Sequence, residues 1–243
     1  LMVVAANDLG ASSLEKRCHE LLGNITTYSK QKCRVFWGRK SSGTLNQALL
    51  NEWIQHEDWR EVGNTGLLAS AGLFSARAID PGSRLLAEHL PPNLKGCGAD
   101  FGAGYGFLSD CVLRRSPAIR EWYLFEAEQK ALEAARINLA RVPTTAALHY
   151  HWHDLTSGLP LPEGPARRFD CIVMNPPFHT GRGSQPALGQ AFIKVAAGAL
   201  KPGGVLYLVA NRHLPYEATL SSQGLRTDCL ATAQGFKLIT ARA

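Results

Sequence analysis

Asn175-Pro176-Pro177-Phe178 closes the apolar run Phe169–Met174. These residue types suit one piece of chemistry, which is holding an exocyclic or amide NH2 group in place for attack on an electrophile. The Asn175 side-chain oxygen accepts a hydrogen bond. Pro176 offers its backbone carbonyl as a second acceptor and has no competing N–H. The Pro-Pro pair restricts the backbone in advance, so less ordering accompanies binding. Phe178 supplies a flat face on which a base can stack. A tight turn at the end of a strand is the plainer reading of the same four residues.

A second motif lies upstream. Asp100-Phe-Gly102-Ala-Gly104-Tyr-Gly106 follows the short, Gly-rich candidate strand Leu94–Ala99 and precedes a candidate helix over 106–115. Glycines at a strand-to-helix turn let a ligand approach the backbone closely, because no Cβ intervenes. The G-x-G-x-G spacing differs from the G-x-G-x-x-G of dinucleotide sites. Twenty residues beyond Gly106, the apolar strand Trp122–Phe125 ends in Glu126, where a carboxylate can accept from ribose hydroxyls. Glu126 and Glu128 also suit the N-terminus of the helix that follows. Asp154 comes after the run Ala146–Trp152 and can accept from an adenine amino group or serve as an ordinary cap. These four signals fall at the ends of four successive candidate strands, where open α/β sheets bind ligands.

The elements that must position these residues alternate. Strands are expected at 94–99, 121–126, 146–152, 169–174 and 204–210, and helices at 83–90, 106–115, 128–141, 187–200 and 215–223. Alternation predicts a parallel sheet with helices on both faces. Two last strands, 226–232 and 235–242, meet at Gln234-Gly235, and so short a link predicts an antiparallel pair. The chain divides into residues 1–60 and 61–243. In the first part a strand at Leu1–Ala6 precedes a helix at Ala11–Leu22 with Leu14, Cys18, Leu21 and Leu22 on one face. A hairpin over Ile25–Tyr28 and Lys32–Trp37 turns at Ser29–Gln31, and a polar connector over 40–65 is helical near Leu49–Trp53. This part is too small for a full domain and opens on a strand without an initiator Met, so a segment is expected upstream of it.

The 243 residues suffice for a substantial core, and at 45% hydrophobic and 19% charged the composition is that of a globular protein. A net charge of +6 favours an anionic partner, moderately, since the excess is not gathered into a tail. The six cysteines are scattered without a C-x-x-C pair, which argues for a reduced, cytoplasmic protein over a disulfide framework or zinc site. His151 and His153 alternate on a strand, but no cluster completes a metal set, and none is expected. No apolar stretch is long enough to cross a membrane.

Residues 64–243 resemble the bacterial ribosomal RNA guanine-N2 methyltransferases, the 16S small-subunit enzymes first and the 23S relatives next. The stretches that carry this are Gly72-Leu-Phe-Ser75 with Asp80-Pro-Gly82, Asp100–Gly106, Glu126, Asn175-Pro-Pro-Phe-His-Thr-Gly181, and Lys201–Gly204 leading to Val209–Tyr216. The resemblance implies a Rossmann-like, seven-stranded methyltransferase sheet with one antiparallel strand, plus a small partial N-terminal α/β segment. It makes residues 1–60 the remnant of a degenerate methyltransferase-like domain. It implies S-adenosylmethionine as cofactor, held by Asp100, Gly102, Gly104, Gly106, Glu126, Asp154 and Asn175. It implies ribosomal RNA or a ribosomal subunit as partner. Asn175, Pro176 and Phe178 become the catalytic group, with Pro177, Phe178, His179, Arg182 and Arg212 on the substrate. His179 is read as a base, a phosphate contact or a loop-orienting group, and solvated surface is the plain reading of either Arg. Three other readings remain open. A related Asn-Pro-Pro-Tyr turn modifies glutamine amides of release factors; a non-catalytic RNA-binding or assembly factor can keep a relict site; and Gly-rich loops also occur in nicotinamide oxidoreductases.

Overall fold

The computed structural model describes residues 1–57, 59–160, 169–177, 179–180, 183–184 and 186–243. It forms two compact units, Leu1–Asp58 and Trp59–Ala243. No described helix is long and apolar enough to cross a membrane.

The first unit holds β1 (Met2–Ala6), α1 (Ala11–Leu22), β2 (Thr26–Lys30), β3 (Cys33–Trp37) and α2 (Gln47–Glu57). The three strands lie in the order β1-β3-β2, all antiparallel. The hairpin turns at Gln31-Lys32, both left-handed with φ of 51° and 60°, later than the Ser29–Gln31 expected from sequence. Two left-handed residues match the twist of the flanking strands, and that gain outweighs the strain of carrying it without glycine. α1 buries Cys18, Leu21 and Leu22 as expected, but Leu14 is 41% exposed. Leu21 and Leu22 pack with Leu49 of α2, so the connector carries core residues as well as polar ones.

The second unit is built on α3 (Pro81–His89), β4 (Lys95–Phe101), α4 (Phe107–Arg115), β5 (Ala118–Glu126), α5 (Gln129–Leu139), β6 (Ala147–Trp152), β7 (Phe169–Met174), α6 (Pro186–Ala199), β8 (Leu200–Asn211), α7 (Tyr216–Ser222), β9 (Arg226–Ala233) and β10 (Phe236–Arg242). The sheet order is β9-β10-β8-β7-β4-β5-β6. Neighbours from β8 through β6 pair in parallel, while β10 runs antiparallel to both β8 and β9. This is the mixed sheet with one reversed strand that the alternation and the final hairpin imply.

Side-chain alternation assigns the two faces. Phe101, Phe125, Met174 and Leu208 join the cluster formed with α6 and α7. Their neighbours Trp122, Leu124, Val173 and Val209 join the cluster formed with α3, α4 and α5. Both faces are therefore covered, as parallel strands require. The chain moves outward from β4 through β5 to β6, then returns to place β7 on the other side of β4. That reversal opens a crevice at the carboxyl ends of β4 and β7.

The lead-in to α3 also has structure. Arg60–Glu61 pairs antiparallel with Leu68–Ala69, and Val62, Leu67, Ala69 and Ile79 pack against Tyr105 and Ala134. Asn138 of α5 fastens this segment to the glycine loop. Its Oδ1 accepts from the Leu68 N–H at 2.7 Å, and its Nδ2 donates to the carbonyls of Leu68 at 2.9 Å and Tyr105 at 2.8 Å.

Candidate active site

A cavity of about 480 Å³ occupies the crevice. It is lined by Gly102, Gly104, Glu126, Ala127, His153 and Leu155 from the chain at and after the ends of β4, β5 and β6, by Asn175, Pro176 and Pro177 from the end of β7, and by Phe74 and Phe192. A smaller cavity of about 50 Å³ shares Phe74, Gly102, Gly104 and Asn175 and extends to Asp80 and Ser83.

The glycine loop gets its shape from β5. The N–H groups of Gly102 and Ala103 both donate to the Phe125 carbonyl, at 2.9 and 3.1 Å. Gly102, Gly104 and Gly106 all have positive φ, the region that disfavours a side chain. A Cβ built at Gly104 has no protein atom within 4 Å, so it would project into open space, whereas one at Gly106 would meet Ala135 at 3.2 Å. Gly104 thus keeps the cavity wide, and Gly106 opens α4 and lets it pack on α5. Glu126 ties the two strand ends together: one oxygen accepts from the Gly104 N–H at 2.8 Å and the other from the Glu128 N–H at 2.9 Å. Each oxygen keeps a further lone pair for a ligand hydroxyl.

Asn175 stands at the end of β7, facing the N-terminus of α3. Its Nδ2 donates to Asp80 Oδ2 at 2.9 Å and to Ser83 Oγ at 2.8 Å. Asp80 is also the N-cap of α3, accepting from the Ser83 N–H at 2.8 Å, with Pro81 opening the helix. Pro176 beside it is buried, and Pro177 is exposed at the cavity wall.

Other residues singled out from sequence lie elsewhere. Asp100 belongs to β4, which runs two residues beyond the expected Ala99, and it is fully buried outside the cavity wall. One of its oxygens accepts from Ser109 Oγ at 2.7 Å, and Ser109 in turn accepts from Trp122 Nε1 at 2.8 Å. The other oxygen has no hydrogen-bond partner among the described residues. Burial, with the nearby Glu126 carboxylate adding to it, pushes the Asp100 pKa from 3.8 up to about 7. Asp154 is exposed and caps the short 3-10 turn Leu155–Ser157. Its Oδ1 accepts from the Thr156 N–H at 2.9 Å and the Thr156 hydroxyl at 2.8 Å, so that oxygen acts as the cap that the plain reading allowed. The Thr156 N–H holds the Asp154 carboxyl below its usual range. Arg212 is exposed on the loop after β8 and does not line the cavity. Phe178 and Arg182 lie outside the described residues, and His179 is described only as backbone in a two-residue ladder with Gly183–Ser184.

The residues that sequence reasoning left without a role are Phe74, Asp80, Ser83, His153, Leu155 and Phe192. Phe74 lines the cavity and is 62% exposed. Asp80-Pro-Gly-Ser83 reads locally as a helix start; its pairing with a residue more than ninety positions away has no local signal. Among the described residues no group of three or more His, Cys, Asp or Glu could hold a metal ion.

Comparison with known proteins gives a consistent picture. Residues 64–240 match the methyltransferase small domain family. A ribosomal RNA large subunit methyltransferase G from Alcanivorax borkumensis is 34% identical over 218 residues, covering 88% of this chain and 53% of that protein. A ribosomal RNA small subunit methyltransferase C from a Shewanella species is 30% identical over 224 residues, covering 92% and 63%. The solved structure of a T. thermophilus 16S rRNA N2 methyltransferase in complex with AdoMet and guanosine superposes with a TM-score of 0.76 at 27% identity, covering 100% of this chain and 64% of that one. The chain spans between about half and two thirds of the length of these relatives.

Proposed function

The chain belongs to the methyltransferase small domain family, and from that premise we propose that it transfers a methyl group from S-adenosylmethionine to the exocyclic N2 of a guanine in ribosomal RNA. The observation that carries this reading is the convergence on one cavity of a glycine cradle, a ribose-type carboxylate and an amine-type acceptor pair: Gly102 and Gly104, Glu126, and Asn175 with Pro176. The fit of the cofactor rests on the open space over Gly104 and on the Glu126 oxygens. One curated relative carries a small-subunit name and the T. thermophilus structure, a 16S enzyme, holds guanosine, so 16S RNA is the first substrate to test and 23S RNA the second. A ribosomal substrate implies a cytoplasmic reaction.

S-adenosylmethionine supplies a methyl group already activated by its sulfonium. The residues of the chain must prepare the nucleophile. The N2 lone pair of guanine is delocalised into the ring and attacks poorly. Asn175 Oδ1 accepts one N2 hydrogen and the Pro176 carbonyl accepts the other, which turns the lone pair out of conjugation and partly relieves the charge that develops on nitrogen. The N–C bond forms as the C–S bond breaks, and the surplus proton leaves to solvent, so no strong base is needed. Phe178 is the proposed stacking face for a base drawn out of its helix, with Pro177 beside it and His179, Arg182 and Arg212 toward the phosphates. Residues 1–60 are read as the remnant of a second, degenerate methyltransferase-like domain.

The test is a labelling experiment with radioactive S-adenosylmethionine, offering 30S subunits, 50S subunits, naked 16S and 23S RNA and release factor in separate reactions. Label in N2-methylguanosine after nucleoside digestion is expected. Label in release-factor glutamine instead overturns the substrate assignment. A failure to bind S-adenosylmethionine at all favours an RNA-binding or assembly role with a relict site.

A further inference from the structure

We infer that Asp80 and Ser83 are positioning residues that fix the polarity of the Asn175 amide, and so restrict the target end of the cavity to groups that donate hydrogens. The inference deepens the proposed function and rests on it for the nature of the target. An asparagine amide is symmetric in shape and opposite in chemistry at its two ends: the oxygen accepts, the nitrogen donates. Turned one way, Asn175 holds an amine; turned the other, it holds a carbonyl. The turn motif alone does not choose.

Asp80 chooses. An ionised carboxylate only accepts, so the Asn175 atom 2.9 Å from Asp80 Oδ2 must be the nitrogen. The flipped amide would set two oxygens against each other at that distance. Ser83 Oγ takes the second hydrogen at 2.8 Å. Both N–H bonds of Asn175 are then used, and Oδ1 is the atom left for a ligand. Ser83 is nearly buried, so an unmade bond there would not be repaired cheaply by water. The same Asp80 oxygen caps α3 through the Ser83 N–H, so the acceptor that orients Asn175 is itself held by a rigid helix start. A keto oxygen in the target position would face Oδ1 without a hydrogen between them, which is how such a site discriminates an NH2 group from a carbonyl of similar size.

The sharpest test removes the polarity control. Asn175→Asp sets two carboxylates against each other at the 2.9 Å contact and should remove nearly all turnover. Asp80→Asn keeps an acceptor oxygen for both the Ser83 N–H and the Asn175 amide, so as the conservative variant it should cost kcat at most about threefold. Asp80→Ser also keeps the helix cap, since serine caps as well as aspartate, yet its hydroxyl can donate or accept and so frees the Asn175 amide to flip. It should lower kcat roughly tenfold to a hundredfold with the cofactor Kd and Tm unchanged. Ser83→Ala should lower kcat by less, about fivefold.

A second readout does not depend on the substrate. The Asn175 side-chain NH2 resonances, assigned by their loss in Asn175→Asp, should exchange slowly with water in the wild type and in Asp80→Asn and quickly in Asp80→Ser. An Asp80→Ser variant as active as Asp80→Asn, or an Asn175 amide that exchanges equally fast in the two, overturns the inference. If the wild type methylates a glutamine amide in place of guanine, the difference between the two Asp80 variants is read on that substrate. If it methylates nothing offered, the exchange measurement decides the inference while the functional reading falls separately.

Discussion

The two ends of the cavity are built by different means. The end that meets Gly102, Gly104 and Glu126 is made from contiguous chain: a loop stitched to the Phe125 carbonyl and one carboxylate at the next strand end. The end that meets Asn175 is made from side chains brought together across 92 and 95 positions of sequence. The first is a backbone cradle that tolerates many side chains around it. The second is a lock whose parts must all be present. Affinity for a cofactor and competence toward a target should therefore be separable by mutation.

Removing Asn175 should separate them most. Asn175→Ala is expected to lower single-turnover rate about a thousandfold, the scale of losing a preorganised partner of the reacting group, while calorimetry finds cofactor affinity within about threefold, the scale of a rim contact. Comparable losses in both would mean that the ends are one unit.

Asp100 should set the pH dependence of the cradle's foundation. Its carboxyl has a folded pKa raised by burial to about 7 from 3.8. The linked stability is fully present below the unfolded value and is lost as pH rises through the folded one, here between about pH 4 and 7. The decline should amount to a few kcal/mol, at about 1.4 kcal/mol for each tenfold change in proton affinity. Asp100→Asn should flatten it in denaturant titrations repeated across that range. An unchanged pH profile would remove Asp100 as the cause.

Glu126→Gln tests the cradle from the ligand side. The amide keeps one acceptor but turns its NH2 toward a backbone donor, either Gly104 or Glu128. Cofactor Kd should rise roughly tenfold to a hundredfold, from the loss of charge-assisted bonds, with kcat at saturating cofactor little changed. A collapse of kcat would tie Glu126 to the target end.

Asp154→Ala carries the smallest expected effect. Loss of its cap on Leu155–Ser157 should cost about 1 kcal/mol and leave cofactor affinity within about twofold. A tenfold weakening would restore Asp154 to the adenine contacts suggested by its place after a strand.

The same contrast explains what is legible in the sequence. The parallel strands, the reversed β10 and the gathering of the signals at strand ends all follow from alternation and one short hairpin, because they depend on local period and general topology, whereas the strand order is a finding of the structure. The glycine loop and Glu126 are readable for the same reason. Asp100 is harder to place because a Gly-rich strand hides its own end: β4 continues through Asp100 and Phe101, and the carboxylate is fully buried. The hairpin turn at Gln31-Lys32 falls later than its sequence suggests because neither residue is a usual left-handed one. Asp80 and Ser83 are visible as a helix cap, but their bond to Asn175 is a fact of tertiary structure, and no pattern within a window reaches it.

The position of β10 also bears on how the chain is made. It follows both β8 and β9 in the sequence, yet it lies between them, and it is the strand through which β9 joins the sheet. Until β10 emerges, β8 has an open edge with a row of unpaired backbone groups, and such an edge invites pairing with another chain. A ribosome that stalls just short of Phe236 would release a sheet whose crevice strands β4, β5 and β7 are already present and whose flank is exposed. This predicts that such stalled chains depend heavily on chaperones and quality-control proteases.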